Sequence, residues 1–486
     1  MTQHSGLSTK LASYGICLVI ALAPLPLGSA ERGSIAVWVL FLAVISLLEN
    51  RGDGSPKHFG FIATLSLVAA CWALVIALQL TPDSPLASNL INPIWATTGK
   101  LLGTHLQGYI TIARDQPYLS AGAQIACALA ILCGFCVGKR RDGAQMLLNT
   151  FAWSGALYAV YGIGSFLIDP GHTLWLEKLG YQNRLTATFI GANTAAVYFG
   201  ACSTAWLMLL AESIDQRFGR PPRNWREVAD GLFLHPSRRT IYCIVLFFVV
   251  LSSTLMTGSR LGAALTLLAL CGAGATYYRR LLNTWWGVII AGAFMCTTAV
   301  ILLQVLGGRV NERADITGLS DEGRFQAYAA ALRIIRDYPW LGTGLGTFRW
   351  AFPEYRGSDL SPIGIWDRAH STTLELAAEM GIPFTLIVVV AWLAILIILA
   401  SGMIRRKRDN IFPILAFWAS LLAVLHTQMD FSLQIPGLAI VIFALAGMGL
   451  AQSVSSQSWE IGNASGRKKA RVDGHSVTMR GRPQAR

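Results

Sequence analysis

Long apolar runs are the feature that most limits what this chain can fold into. They cover residues 11–29, 33–48, 59–80, 119–138, 146–168, 187–211, 239–256, 261–277, 283–306, 382–403, 411–427 and 433–452. Because about 20 apolar residues cross a bilayer as a helix, these runs are candidate membrane spans. Only 13% of the residues are charged, whereas a soluble domain has about 25%. The sequence therefore excludes a soluble globular enzyme and a disordered protein. It predicts an all-α, polytopic inner-membrane protein of about 12 transmembrane helices.

Positive charges fall mainly on one side of the predicted spans. The clusters Lys139–Arg141 and Arg405–Arg408 directly follow spans that end on the same side as the N-terminus. Cytoplasmic loops carry an excess of Lys and Arg, so we predict that both termini are cytoplasmic. The net charge of +13 then reflects topology, and no nucleic-acid partner is needed to explain it. We expect the basic tail 453–486 to be a disordered cytoplasmic segment.

Three long segments lie on the predicted outer side, at 81–118, 169–186 and 307–371, and the last is the largest polar stretch of the chain. Its sequence from Ser320 predicts an amphipathic helix, with Phe325, Tyr328, Ala331 or Leu332, and Ile335 at helical spacing. The helix is expected to end at Tyr338-Pro339, before the glycine-rich turn 340–348. That turn does not match a dinucleotide-binding fingerprint, because we predict no strand before it and no clear helix after it.

Polar residues next to span ends form a second pattern on the outer side. Arg184, Arg260 and Arg324 come from three different outer segments, while His370 precedes the tenth span. His426 and Asp430 belong to the last outer turn. Each arginine taken alone is typical of a side chain that reaches the headgroups. Together, however, guanidinium groups suit a phosphorylated ligand, since arginine binds phosphate bidentately and stays charged.

The outer side of a membrane favours one class of phosphorylated substrate, a lipid such as a polyprenyl diphosphate that carries a sugar. Arginines can stabilise the departing diphosphate, and a histidine can take the proton of an acceptor hydroxyl. The outer segments contain no Asp-x-Asp motif, so we expect neither a metal that bridges the diphosphate nor any other cofactor.

At these segments the chain resembles the O-antigen ligase/polymerase superfamily of bacterial membrane glycosyltransferases, the Wzy-C domain family. The resemblance rests on Arg184–Phe189 with Asn193, Thr257–Arg260, Gly323–Gly346, Ala369–Glu375 with Gly381, and His426–Phe431 with Pro436. It implies a GT-C-like fold with one large periplasmic helical loop, 307–371. It also implies metal-independent transfer of an undecaprenyl-diphosphate-linked glycan at the periplasmic face. The expected organisation is N-terminal helices in 1–180, the catalytic membrane region in 181–452, and the tail.

The resemblance also implies roles for single residues. Arg184, Arg260 and Arg324 would bind or neutralise the diphosphate, and Arg260 would act in catalysis. His370 would activate the acceptor hydroxyl, and Glu375 would orient that histidine or act as the base itself. Supporting roles go to Asn193, Arg333, His426 and Asp430.

Two acceptors remain open within this family, because polymerases join lipid-linked repeat units and ligases move the finished polymer onto lipid A-core. One R-x10-G match, Arg333 to Gly344, is typical of polymerase outer loops, but Arg184 has no glycine eleven positions later. The segment His426–Pro436 favours a polymerase. A transporter or flippase for lipid-linked sugars is a more distant alternative, and a non-catalytic scaffold is another.

Overall fold

The computed structural model describes residues 2–48, 56–83, 85–178, 180–220, 222, 224–279, 281–282, 321–357, 366–406 and 409–454. The predicted span 283–306, the start of the outer loop at 307–320 and the tail from 455 lie outside the described residues.

Helices dominate the described chain. Those before the long outer loop are α1 (Thr2–Leu22), α2 (Arg32–Leu48), α3 (Pro56–Leu80), α4 (Ile94–Leu102), α5 (Gln116–Gly138), α6 (Arg141–Ile168), α7 (Ala192–Phe218), α8 (Trp225–Ala229), α9 (Arg238–Met256) and α10 (Arg260–Tyr277). After it come α11 (Asp321–Asp337), α12 (Phe348–Tyr355), α13 (Thr372–Arg405), α14 (Ile411–His426) and α15 (Pro436–Val454). Two short antiparallel strands, β1 (His172–Thr173) and β2 (Leu176–Glu177), form a hairpin between α6 and α7.

Eight of the described helices are long and apolar enough to cross a membrane, namely those at Phe59–Leu80, Gln116–Gly138, Arg141–Ile168, Ala192–Phe218, Arg238–Met256, Arg260–Tyr277, Thr372–Arg405 and Pro436–Val454. Three shorter apolar helices occupy Leu7–Leu22, Arg32–Leu48 and Ile411–His426. An all-α membrane protein is therefore confirmed. The count of 12 spans remains a prediction.

Helix α7 is the centre of the bundle. It packs against α6, α9, α10 and α14, and nearly all of its apolar stretch is buried inside the protein. Small residues such as Ala196, Gly200 and Ala205 let the neighbouring backbones approach closely. The apolar stretch of α3, in contrast, has no buried residue, so it lies at the edge of the bundle.

The two ends of α7 carry different chemistry. Near its C-terminal end, Glu212 pairs with Arg239 at 2.7 Å, and Arg141 pairs with Asp409 at 2.8 Å. These partners come from segments that the charge pattern assigns to the inner side. The start of α7 lies 20 residues from Glu212, which is about 30 Å along a helix. Arg184 and the turn before α10 lie at that other end.

Helix α11 confirms the amphipathic helix predicted after Ser320. The predicted buried face was wrong in part, since Phe325 and Leu332 are 61% and 56% exposed. The buried positions are instead Ala327, Ala330, Ala331, Ile334 and Ile335. These small side chains allow α11 to pack closely on α13, which a phenylalanine on that face would prevent. The absence of a helix after the glycine turn was also wrong, because α12 begins at Phe348.

The glycine turn 340–348 is held against α13 and α3 by two buried polar side chains. Gln79, at the end of α3, donates to the carbonyls of Leu341 and Glu379 at 2.7 and 2.8 Å. The Glu379 carboxylate accepts the N–H groups of Gly346 and Phe348, both at 2.8 Å. Backbone groups that would otherwise be buried without partners are thereby satisfied. Gln79, a residue of the N-terminal helices, thus supports the glycine turn.

Gly381 divides α13 at the point where this turn crosses it. Its φ of 82° lies in the left-handed region, and a β-carbon there would lie 2.1 Å from the Trp340 carbonyl oxygen. We expect Gly381→Ala to lower the free energy of unfolding by at least about 2 kcal/mol, through strain and overlap. Thermal unfolding in detergent measures this. Gly274→Ala in α10 is the matched control, since a β-carbon there meets no described atom within 4 Å. Equal melting temperatures for the two variants would contradict the packing described here.

Candidate active site

The first part of the site is the loop before α7. The Arg184 guanidinium lies 5.9 Å from the ring centroid of Tyr181, and Lys178 donates to the Arg184 carbonyl oxygen at 3.2 Å. The Leu185 N–H bonds to the carbonyl of Met256, the last residue of α9. This bond fixes the loop to the end of α9, so Arg184 is held at the end of the helix bundle that the charge pattern assigns to the outer side.

Arg260 stands on the adjoining turn. Ser259 caps α10 by accepting the Gly262 N–H, which makes Arg260 the first helical residue, with an exposed side chain. A β-carbon at Gly258 would lie 3.6 Å from Cδ and Nε of Arg184, so the turn packs directly on that side chain. A cation in the first helical turn faces the positive end of the helix dipole. This arrangement suits an arginine that meets an anion.

His370 occupies a strained position between the large loop and α13. Its φ of 54° is left-handed, a conformation that is uncommon for residues other than glycine. The Tyr328 hydroxyl of α11 donates to the His370 carbonyl oxygen at 3.0 Å. The imidazole ring packs edge-on between Trp366 and Phe431, with centroids 5.5 and 5.2 Å away. Backbone and ring are therefore held from three sides.

Asp430 faces this imidazole from the turn after α14. The His370 Nδ1 and Asp430 Oδ1 atoms are 4.0 Å apart, and both side chains are largely buried. Arg324 is an electrostatic neighbour of both His370 and His426. Among the described residues, no hydrogen-bond partner is found for His370 Nδ1, Asp430 Oδ2 or Arg324 Nε, although all three atoms are buried. Buried polar atoms without partners cost free energy, and such atoms concentrate at functional sites.

The charges around His370 and Tyr181 connect these parts into one site. Burial lowers the pKa of His370 below its ordinary value of 6.5, Asp430 opposes this effect, and Arg324 adds to it. Burial raises the pKa of Tyr181, to which Asp430 contributes, while Arg324 and Arg184 act in the opposite direction. The pKa of Tyr181 therefore depends on charged groups from the loop before α7, from α11 and from the turn after α14. Asp430 and Arg324, which also act on His370, thus link Tyr181 and Arg184 to the histidine.

Glu375 is buried but turned towards the backbone that precedes His370. Its Oε1 accepts from Arg368 at 3.1 Å, and its Oε2 accepts the Ala369 N–H at 2.7 Å. Arg368 also donates to Gln434 at 2.9 Å. Both carboxylate oxygens thus hold the loop that carries the histidine. Whether Glu375 takes part in catalysis stays a prediction.

The remaining sequence-predicted residues occupy different places. His426 is buried at the end of α14, with Nδ1 3.0 Å from the Ser432 hydroxyl, and it shares the Asp430 and Arg324 neighbourhood. Asn193 is half-buried in the first turn of α7. Arg333 is exposed and donates to the Tyr355 carbonyl oxygen at 2.5 Å, on a face of α11 that does not include Arg324.

Sequence reasoning missed Tyr181, Tyr328 and Arg368. Tyr181 and Arg368 lie within three residues of Arg184 and His370, so their proximity along the chain was an unused signal. Tyr328 was assigned only to the apolar face of the predicted helix, because a tyrosine at helical spacing gives no sign of what its hydroxyl contacts.

Comparison with known proteins gives one family match. Residues 244–389 match the family model described as Wzy_C, O-antigen ligase. The matched segment includes Arg260, Arg324, His370 and Glu375, but not Arg184 or Asp430. A search of curated proteins found no match.

Proposed function

This chain carries the O-antigen ligase family segment over residues 244–389, and from that premise we propose a reaction for it. The chain transfers a glycan from a polyprenyl diphosphate, such as undecaprenyl diphosphate, to a sugar hydroxyl at the outer face of the bacterial inner membrane. The enzyme uses no metal, and both of its termini are cytoplasmic. Its partners are the lipid-linked donor, a glycan or lipid A-core acceptor, and the bilayer.

One observation carries the proposal, namely the meeting of His370, Asp430 and Arg324 with buried atoms that lack described partners. A base, a carboxylate that faces it and a cation are the groups that acceptor activation and diphosphate departure require. A preorganised site holds such groups unsatisfied until the substrate arrives, which a purely structural cluster of this kind would not do.

The chemistry divides between the two sides of the site. With Nδ1 of His370 facing Asp430, Nε2 is the atom that takes the proton from the acceptor hydroxyl. The hydroxyl oxygen then forms a bond to the anomeric carbon, and the bond from that carbon to the diphosphate oxygen breaks. The guanidinium groups of Arg184, Arg260 and Arg324 stabilise the negative charge that the departing diphosphate gains. They supply the cations that a bridging metal would otherwise provide.

The histidine gives the reaction a defined dependence on pH. The base must be neutral, and burial holds the pKa of His370 below 6.5, so activity falls only as the pH drops below that value. Asp430 raises this pKa, so we expect Asp430→Asn to shift the acid limb to lower pH and to reduce the maximal rate. The pH profile of kcat/KM measures both effects. Asp169→Asn, in an exposed outer pair with His172, is the control that should leave the profile unchanged. If the acid limb of Asp430→Asn lies at the same pH as in the wild type, Asp430 does not influence the catalytic base and this prediction is wrong.

We propose a polymerase as the specific activity, because the segment His426–Pro436 is similar to the outer turn of exopolysaccharide polymerases and Asp430 lies in it. A ligase is the second candidate, favoured by the description of the matching family as O-antigen ligase. The two differ only in the acceptor, so the same site chemistry serves both.

A reconstituted assay separates these candidates. Purified protein in lipid nanodiscs receives a lipid-linked repeat unit, with and without core lipopolysaccharide. A polymerase lengthens the lipid-linked product without the core, whereas a ligase yields a product only with it. Release of polyprenyl diphosphate without any new glycosidic bond, or no reaction in either mixture, would contradict glycan transfer. The transporter alternative instead predicts that a knockout accumulates donor on the cytoplasmic leaflet.

A further inference from the structure

The outer segment 81–118 contains a cavity that the reaction described above does not use. Helix α4 and the loops on either side of it line a volume of 610 Å³, which is ample for a ligand of a few sugars. Polar and aromatic side chains line it, including Asp83, Asn92, Trp95, Lys100 and His105.

The walls of this cavity are well supported. Asp83 Oδ1 accepts the Gly108 N–H at 2.9 Å, and Asn92 Oδ1 accepts the Ile94 N–H at 3.1 Å. The indole N–H of Trp95 donates to the Thr111 carbonyl oxygen at 3.0 Å, while its ring packs edge-on to Tyr109. The Trp95 side chain is therefore held by the hydrogen bond of its indole N–H and by its contact with Tyr109. Lys100 and His105 are exposed residues of the lining.

This lining suits a carbohydrate better than an anion. It presents one carboxylate, one amide, one ammonium and one imidazole around an aromatic ring, so donors and acceptors are mixed and the charges nearly balance. A phosphate site would gather guanidinium groups instead, whereas the described lining contains no arginine. Sugar rings present hydroxyls at their edges and apolar C–H groups on their faces, which match this combination of polar and aromatic groups.

The cavity also lies at a suitable distance from the reacting groups. Asn92 is a neighbour of the hydroxyl of Tyr338, the residue that follows α11, whereas Tyr328 within α11 bonds to the His370 carbonyl oxygen. Ten helical residues separate the two tyrosines by about 15 Å. The bond from the Ile112 N–H to the Thr343 carbonyl oxygen, at 2.9 Å, joins the segment 81–118 to the glycine turn.

We propose that this cavity is a second carbohydrate-binding subsite, which holds a sugar of the glycan several units away from the reacting end. The proposal rests on the proposed glycan transfer, since it assigns the subsite to the same glycan. A distal subsite retains a growing or finished chain between transfer events. Its loss should therefore shorten the product without abolishing bond formation.

The direct test is to measure the binding of short, delipidated polysaccharide fragments to the full-length protein in nanodiscs by titration calorimetry. The fragments are prepared from the polysaccharide of the cells that carry this protein. We expect the double variant Asp83→Asn, His105→Ala to raise the Kd on the order of tenfold. The asparagine can keep the bond to Gly108, and His105 is exposed, so folding should be preserved. Arg349→Ala, which removes an exposed cation from α12, is the control and should leave the Kd unchanged.

The outcome of the binding test does not depend on the outcome of the transfer test, because different variants are expected to change them. His370→Ala should keep the wild-type Kd for the fragments while losing transfer, and the double variant should still transfer but make shorter products. No saturable binding to the wild type, or equal Kd values for the wild type and the double variant, would overturn the subsite. Loss of binding in His370→Ala alone would assign the fragments to the active site and would also overturn it. None of these results alters the transfer assay itself.

Discussion

His370→Ala is expected to reduce glycan transfer by about 10²- to 10⁴-fold, the usual contribution of a general base. Tyr328 bonds to the backbone carbonyl of His370 and not to its side chain, so the loop keeps that support in the variant. Initial rates with a saturating lipid-linked donor measure the loss.

Folding controls make that result interpretable. His370→Asn is the second variant, because asparagine tolerates the left-handed φ of 54° better than alanine does. His172→Ala removes an exposed outer histidine from the β hairpin and should leave the rate unchanged. If both His370 variants keep more than a tenth of the wild-type rate, the imidazole is not the base.

Arg324→Ala is expected to lower kcat by about 10²- to 10³-fold, since a half-buried cation that stabilises the departing charge acts mainly in the transition state. Arg324→Lys should recover only part of the rate, because an ammonium group keeps the charge but not the bidentate geometry. Steady-state kinetics that separate kcat from the KM of the donor give the measurement.

The matched control lies on the same helix. Arg336 is exposed near the end of α11 and contacts Asp337 at 3.2 Å. Arg336→Ala removes the same charge from α11 and should leave kcat within about twofold, as is usual for a surface charge. Equal losses for Arg324→Ala and Arg336→Ala would indicate a general effect of outer charge and would contradict a specific diphosphate site.

Much of the fold could be predicted from the sequence because apolar length is a direct physical requirement of a membrane span. Every predicted run within the described residues corresponds to an apolar helix, and α11 was predicted from its apolar periodicity. The buried face of α11 was harder to predict. Hydrophobicity favours Phe325 and Leu332, but close packing on α13 selects the alanines.

The sequence indicates which types of residue form the candidate site, but it does not indicate which of their side chains contact one another. Arginines and histidines at span ends indicate their chemistry, and in the fold Arg324 is an electrostatic neighbour of both Tyr181 and His370. Side-chain direction was not predictable. Glu375 follows His370 by five residues, yet its carboxylate bonds to Arg368 and Ala369. The carboxylate that faces the imidazole comes instead from Asp430, sixty positions after His370. Long-range contacts of this kind depend on helix packing, which periodicity does not encode.

The most direct test of the central claim follows the donor bond itself. Wild-type protein and His370→Ala are purified, freed of metals with a chelator, and incubated with a radiolabelled polyprenyl-diphosphate-linked glycan and an acceptor glycan. We predict that the wild type forms a longer glycan together with one free polyprenyl diphosphate per new linkage, and that His370→Ala forms both at least about a hundredfold more slowly. A wild type that requires an added divalent metal, or a variant that matches its rate, would contradict an arginine- and histidine-based glycan transferase.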